Sequence, residues 1–266
     1  MSAHAHAAAA SPSALRAWRH RKNVEHLTPG QLKALRDAFA AVEAISDDRG
    51  YAHWAGIHGL PLPMYCTHGT RLFLAWHRAY LYFFELALRD QVSAAVLTWW
   101  DWTSVASHAN GIPPAYARAR VDGKANPLFS VPVPPVARVN GQPTRTTRAP
   151  MPPAGLPTAA EVQAVLQLPD FLDFQSQLEG IHNRVHVWVG GTMGQVPWAA
   201  YDPIFWAHHT MIDRLWRLWQ LHHPNPGFPP GLLTTPLPPF NLTVADTLDI
   251  KTLGYDYAST TTHAVP

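Results

Sequence analysis

Apolar residues at Leu32, Leu35, Phe39, Val42 and Ile45 recur at the interval of an amphipathic helix. Thr28-Pro29-Gly30-Gln31 opens that helix: Thr28 can cap, Pro29 suits the first helical position, and Gln31 completes a capping box. A second helix is predicted from Tyr51 to His58, before Gly59 and two prolines break it. From Arg71 to Asp90 the chain is apolar on nearly every side, so this helix belongs at the centre of a domain. His77 and Glu85 are polar groups inside it. Leu97 to Trp102 closes this helical half.

From Ser104 to about Leu156 the pattern lapses into Pro, Gly, Ala and Arg, which predicts a surface excursion without chemistry. Helix resumes from Thr158 to Leu168, and Asp170 to Gln177 leads into a long ordered stretch from Glu179 to Trp216. Pro224 to Pro239 is again proline-rich, and Thr243 to Tyr257 reads as short irregular or strand-like pieces. No internal repeat and no linker divides the chain. The expectation is a mainly α single domain over residues 21–258. An antiparallel four-helix bundle forms its core, with long Pro-rich loops and few short strands. Residues 1–20 read as a loose, Ala-rich lead-in and residues 259–266 as a short tail.

Composition narrows the classes. With 266 residues, 47% of them hydrophobic and 11 Trp, the chain can bury a real core. A net charge of +2 without a long basic block argues against nucleic acid. No apolar run approaches the roughly 20 residues that span a bilayer. The N-terminus lacks the basic start and strong apolar segment of a signal peptide, so a cytoplasmic location is expected. Cys66 is the only cysteine, which excludes an intramolecular disulfide.

The 16 histidines change the picture most. His182 and His186 stand four apart, which stacks their imidazoles on one helix face. Alone, that spacing is weak evidence for a metal. His208-His209, however, lie inside a second apolar helix, where a buried ring nitrogen needs a partner. His58, His68 and His77 form an upstream group; His182, His186 and His209 form a downstream one. Two sets of three neutral imidazoles on one core suggest a pair of metal ions face to face. Di-iron and di-manganese bundles draw on Glu as well, and zinc finds no bridging carboxylate here. Copper, which binds imidazole tightly and reacts with dioxygen, fits best. A copper-bound imidazole needs an acceptor for its other N–H. Asp213, one turn past His209, is the candidate on that helix, and Glu85 on the His77 helix, unless Glu85 instead pairs with an arginine.

The segments F-L-A-W-H-R-A-Y-L-Y-F-F-E, W-W-D-W, H-N-R-V-H-V-W-V-G-G and D-P-I-F-W-A-H-H-T-M-I-D-R-L-W carry a family resemblance. They resemble the type-3 binuclear copper proteins: tyrosinases, catechol oxidases, o-aminophenol oxidases and molluscan-type haemocyanins. The resemblance spans roughly Arg21 to Tyr257. It implies two copper ions with dioxygen as co-substrate. Its ligands would be His58, His68 and His77 for the first copper, with His53 set aside for lacking a following Gly. The second copper would take His182, His186 and His209, with His208 packing nearby. Cys66, two before His68, matches members that form a cysteine–histidine thioether. Glu179 and Asn183 match positions that hold a water proposed to take a phenol's proton. Phe205 matches an aromatic that roofs the first copper and steers substrate to the second.

Val187, apolar where some members are basic, makes carboxylated substrates less expected, and Thr210-Met211 replaces a commoner Ala-Asn near the second copper. Val187, Thr210 and Met211 are the expected pocket positions. Gly254-Tyr255-Asp256-Tyr257 resembles the closing tyrosine motif of the catalytic domain, with Arg21 as its arginine partner. Little follows it, so a site without a C-terminal shielding domain is expected. The implied activity is ortho-hydroxylation of monophenols and oxidation of o-diphenols to o-quinones. A catechol or o-aminophenol oxidase shares the site, and an oxygen carrier is the rival from another class. Small phenols are the expected partners, with a copper-delivery protein as a further one; nothing in the sequence fixes the oligomeric state.

Overall fold

The computed structural model of the chain describes residues 18–258. Its helices of eight or more residues are α1 (Pro29–Glu43), α2 (Tyr51–His58), α3 (Phe73–Gln91), α4 (Ala159–Leu166), α5 (Phe171–Val189) and α6 (Ile204–His222). Its strands are short: β1 (Arg19–Asn23), β2 (Thr98–Trp99), β3 (Arg120–Val121), β4 (Lys124–Ala125) and β5 (Tyr255–Tyr257). The fold is mainly helical, as the periodicity predicts.

Three of these helices, α1, α4 and α5, begin at side-chain caps of their own. Thr28 Oγ1 accepts from Gln31 N at 3.2 Å and Gln31 Oε1 accepts from Thr28 N at 3.1 Å, the reciprocal capping box of α1. Thr158 and Glu161 repeat the device on α4. Asp170 caps α5 by accepting from Leu172 and Asp173 N–H groups at 2.8 and 3.0 Å. At its far end α5 stops at Gly190 and Gly191, with φ of +63° and +56°. A Cβ on Gly191 would stand 2.1 Å from the Thr147 carbonyl oxygen, so only glycine fits this turn.

The α3 helix is buried from Phe73 to Leu81 and packs against α1, α5 and α6. The α6 helix is buried continuously from Ile204 to Trp216. Helices apolar on all sides belong inside a bundle, and these two form the centre of this one. None of the described helices is long and apolar enough to cross a membrane.

Two expectations need correction. The lead-in predicted over residues 1–20 ends earlier, because Arg19 and His20 already lie in β1. There β1 pairs in parallel with β5, Arg19 opposite Tyr255, and with β2, Lys22 opposite Thr98. The inward residues are Arg19, Arg21 and Asn23, all polar, so hydrophobic patterning could not reveal this strand. Residues 1–17 and the 259–266 tail lie outside the described residues.

The predicted excursion is also more structured than its composition suggests. Asp122 and Gly123, at φ of 50° and 75°, turn the β3–β4 hairpin. Leu128, Val131 and Val133 are buried. Arg148 makes a 2.5 Å ion pair with Asp202, which also accepts from Ile204 N at 3.1 Å at the start of α6. The excursion is thereby tied to the helix that carries His208 and His209.

Candidate metal centre

His58 is the last residue of α2. The chain turns sharply after it, and a Cβ on Gly59 would stand 2.3 Å from the Pro197 carbonyl oxygen. That close approach brings the Val196 carbonyl to 3.2 Å from His58 Nδ1. A carbonyl can only accept, so Nδ1 carries the proton and Nε2 keeps its lone pair. His58 Nε2 is buried and has no protein partner. His77 on α3 is held in the same way, its Nδ1 2.8 Å from the Phe73 carbonyl. His68 sits in the intervening loop, where Cys66 Sγ lies 3.1 Å from its Nδ1 and 3.6 Å from its Nε2. His58, Cys66, His68 and His77 each offer a ligand atom within 4.8 Å of the others. His53 lies outside this group.

The second group gathers His182, His186, His208 and His209 within the same 4.8 Å limit. His182 Nδ1 donates to Asn183 Oδ1 at 3.0 Å, and His186 Nδ1 donates to the Met193 carbonyl at 2.8 Å. Their Nε2 atoms converge on His209 Nε2, at 3.1 and 3.3 Å respectively. Two imidazole nitrogens that share one ion, each about 2.0 Å from it, stand roughly 3 Å apart. The three Nε2 atoms therefore already have the spacing of ligands to a common metal. His208 stacks on His182 with ring centroids 5.0 Å apart, and neither of its nitrogens has a protein partner.

The two groups abut. The rings of His77 and His209 stack at 4.4 Å, and His68 lies 5.3 Å from His182. Phe205, fully buried, packs edge-on to His58 at 4.8 Å and against His209 at 4.1 Å, so it touches both groups.

Burial is the largest influence on every one of these imidazoles. It holds His58, His77, His182, His208 and His209 well below the usual histidine range, and their mutual repulsion adds to it. His68 and His186 are lowered to about 4. All are neutral at pH 7, which is the form that binds a metal. Nδ1–H groups fixed by carbonyl or amide oxygens, with inward lone pairs, are the arrangement by which proteins orient metal-bound histidines. A donor set dominated by imidazole suits copper.

A cavity of about 350 Å³ reaches both groups, lined by His58, His68, His182, His186, Asn183, Val187, Met193 and Val196 among others. Val187 is 63% exposed and forms part of its rim. Thr210 and Met211, expected in the pocket, are instead fully buried and line no part of it. At about 100° per residue, the positions after His209 point away from its face of α6. Glu179, one turn before His182, accepts from the Gly69 N–H at 2.6 Å. Burial raises its carboxyl above the usual carboxylate range, and the Gly69 bond opposes this in part.

The acceptors expected for the metal-side histidines also need correction. Asp213 does not reach His209, whose Nδ1 has no protein partner. Its carboxylate instead pairs with Arg78 at 2.5 Å and Arg21 at 3.1 Å, and accepts from Tyr255 at 2.8 Å and from the Tyr257 hydroxyl. Burial alone would raise Asp213, but Arg78 and Arg21 hold it below the usual range. Glu85 is likewise taken by arginines, Arg19 at 2.8 Å and Arg21 at 2.9 Å, while His77 uses the Phe73 carbonyl. Arg21 also lies 3.7 Å over the Tyr255 ring, so it is the arginine partner of the closing tyrosine motif. Three of the four acceptors actually used, Phe73, Met193 and Val196, are main-chain carbonyls with no side-chain signal in the sequence; the fourth is the Asn183 side chain.

The family model for the common central domain of tyrosinase matches residues 48–222. A tyrosinase of Streptomyces lincolnensis is 37% identical over 191 residues, covering 62% of this chain and 68% of that protein. A haemocyanin of Enteroctopus dofleini, A-type, units Ode to Odg, is 33% identical over 282 residues, covering 92% of this chain. The chain spans only 22% of that haemocyanin's length. The structure of a functional unit from octopus haemocyanin superposes with a TM-score of 0.79 at 32% identity, covering 90% of this chain and 68% of that one.

Proposed function

The chain belongs to the tyrosinase family of binuclear copper proteins, and on that premise we propose that it oxidises phenols with dioxygen, hydroxylating monophenols and converting o-diphenols to o-quinones. The observation that carries this reading is the cavity of about 350 Å³ that reaches both histidine groups, with an exposed rim at Val187. A carrier needs room for dioxygen alone, whereas an oxidase must admit a ring.

In this reading His58, His68 and His77 hold one copper, and His182, His186 and His209 hold the other. Bound copper supplies the reduction of dioxygen and the two-electron oxidation of the substrate. The protein's own residues bind and orient the ring. Val187, Met193 and Val196 give the cavity an apolar wall that accepts the aromatic face. Phe205 does not line the cavity; it packs against His58 and His209 and so helps fix the orientation of their rings. A monophenol, with a pKa near 10, must lose its proton to bind as phenolate. Glu179, with its carboxyl raised by burial, is the base assigned to receive that proton through a water, and Asn183, beside His182, is the residue assigned to help hold that water.

Catechol oxidase or o-aminophenol oxidase activity without monophenol hydroxylation uses the same site. Similarity to haemocyanin favours reversible oxygen binding as the second reading. Steady-state oxidation of a matched monophenol, catechol and o-aminophenol by copper-loaded protein separates these. Quinone formation from the first two is expected. Turnover of none of the three would contradict the proposal.

A further inference from the structure

Among the six histidines assigned to copper, His68 alone lies outside a helix. Among the described residues its ring nitrogens meet only the Cys66 sulfur, whereas four of the others donate Nδ1–H to an oxygen. Something else must hold the loop that presents it. That support comes from α5, the helix of the second group.

Gln175 and Glu179 lie four residues apart on α5 and His182 three further, so all three share one face. Gln175 Nε2 donates to the Thr70 carbonyl at 3.1 Å, and its Oε1 accepts from Leu74 N at 3.3 Å. Glu179 Oε1 accepts from Gly69 N at 2.6 Å. The α3 helix has no side-chain cap of its own at Leu72, and Gln175 satisfies one of its first-turn N–H groups from outside. Gly69, directly after His68, has φ of +68°, so the loop reverses at the point where Glu179 grips it. Both side chains are nearly buried, Gln175 4% and Glu179 8% exposed, so no bulk water competes freely for these bonds.

We propose that Gln175 and Glu179 are positioning residues for His68, fixing the 67–72 loop and the first turn of α3 against α5 so that the first copper's affinity depends on the helix that binds the second. This rests on the copper reading above and is separable from it. Orientation of a metal-binding histidine by outer hydrogen bonds typically governs affinity by 10–100-fold. Here the bonds act on the histidine's loop instead of its ring.

The test is stepwise copper removal from the copper-loaded full chain by a competing chelator. Wild type is expected to hold two coppers. Gln175→Ala and Glu179→Ala are each expected to weaken one copper by roughly 10–100-fold and leave the other unchanged. Glu179→Gln keeps an acceptor oxygen for Gly69 N–H and is expected to retain wild-type affinity, a rescue that a role resting on charge would not give. Should Gln175→Ala fail to fold, Gln175→Met fills the same space without the hydrogen bonds and carries the same expectation. Wild-type affinity for both coppers in the alanine variants, or equal weakening of both, would overturn the proposal. Failure of the wild type to bind copper would instead overturn the copper reading, and this inference with it.

Discussion

His182 Nε2 lies 3.1 Å from His209 Nε2, ring nitrogen facing ring nitrogen in a buried site. Such a pair tolerates one proton between its rings, but protonating both would place two cations in contact without solvent. The site therefore resists protonation, and this makes the fold sensitive to acid. In the unfolded chain these histidines take up protons near pH 6.5. In the folded chain His68 and His186 do so only at about 4, and the others lower than usual. Between those values the unfolded state binds more protons, so stability falls as pH falls. Each such histidine contributes up to about 1.4 kcal/mol per pH unit in that window. The thermal midpoint of metal-free protein should drop progressively from pH 7 to pH 5. A midpoint that stays constant over that range would contradict the buried neutral assignment.

The Asp213 cluster holds β1 and β5 onto α3 and α6. Asp213→Ala leaves Arg21 and Arg78 buried without their shared carboxylate, and breaking such a network costs about 3–5 kcal/mol. Urea unfolding should show that loss, whereas Asp37→Ala, at the exposed Lys33 pair, should leave the midpoint nearly unmoved. Equal midpoints for the two variants would remove the structural role given to Asp213.

Much of this molecule is legible from its residues, and the failures share a cause. The α2 helix runs from Tyr51 to His58 as Gly59 and its prolines require, and the capping box at Thr28 starts α1. The histidine groups are readable because neutral rings on buried helix faces have few alternatives. Spacing alone misplaces Asp213: i, i+4 sets it near His209 along one helix, while Arg21 and Arg78 reach it from elsewhere in the fold. Glu85 was open to either reading, and its arginines decide the matter. Gln175 carries no motif at all; its importance comes from the loop it meets 101 and 105 residues away.

Cys66 presents its sulfur to both ring nitrogens of His68, at 3.1 and 3.6 Å, and so to the carbon between them. Burial pushes its thiol up to about 12, so it is protonated at neutral pH. After copper loading in air, a thioether between Cys66 and His68 would leave the chain two hydrogens lighter than its sequence mass. Cys66→Ser should show no such deficit. A full-mass chain with a titratable thiol would rule the bond out.

Proton handling at Glu179 is separable from its hold on Gly69. Glu179→Gln keeps the acceptor oxygen but removes the base, so monophenol oxidation should fall by roughly 10²–10⁴-fold while catechol oxidation falls far less. Matched losses on a monophenol and its catechol would leave Glu179 without a catalytic part.

Oxygen uptake by copper-loaded protein, followed with and without a catechol, tests the central claim most directly. The account predicts uptake that continues through many equivalents of dioxygen per chain while catechol lasts, with quinone formed in step. Uptake that stops at one dioxygen per copper pair, and reverses when oxygen is withdrawn, would contradict it.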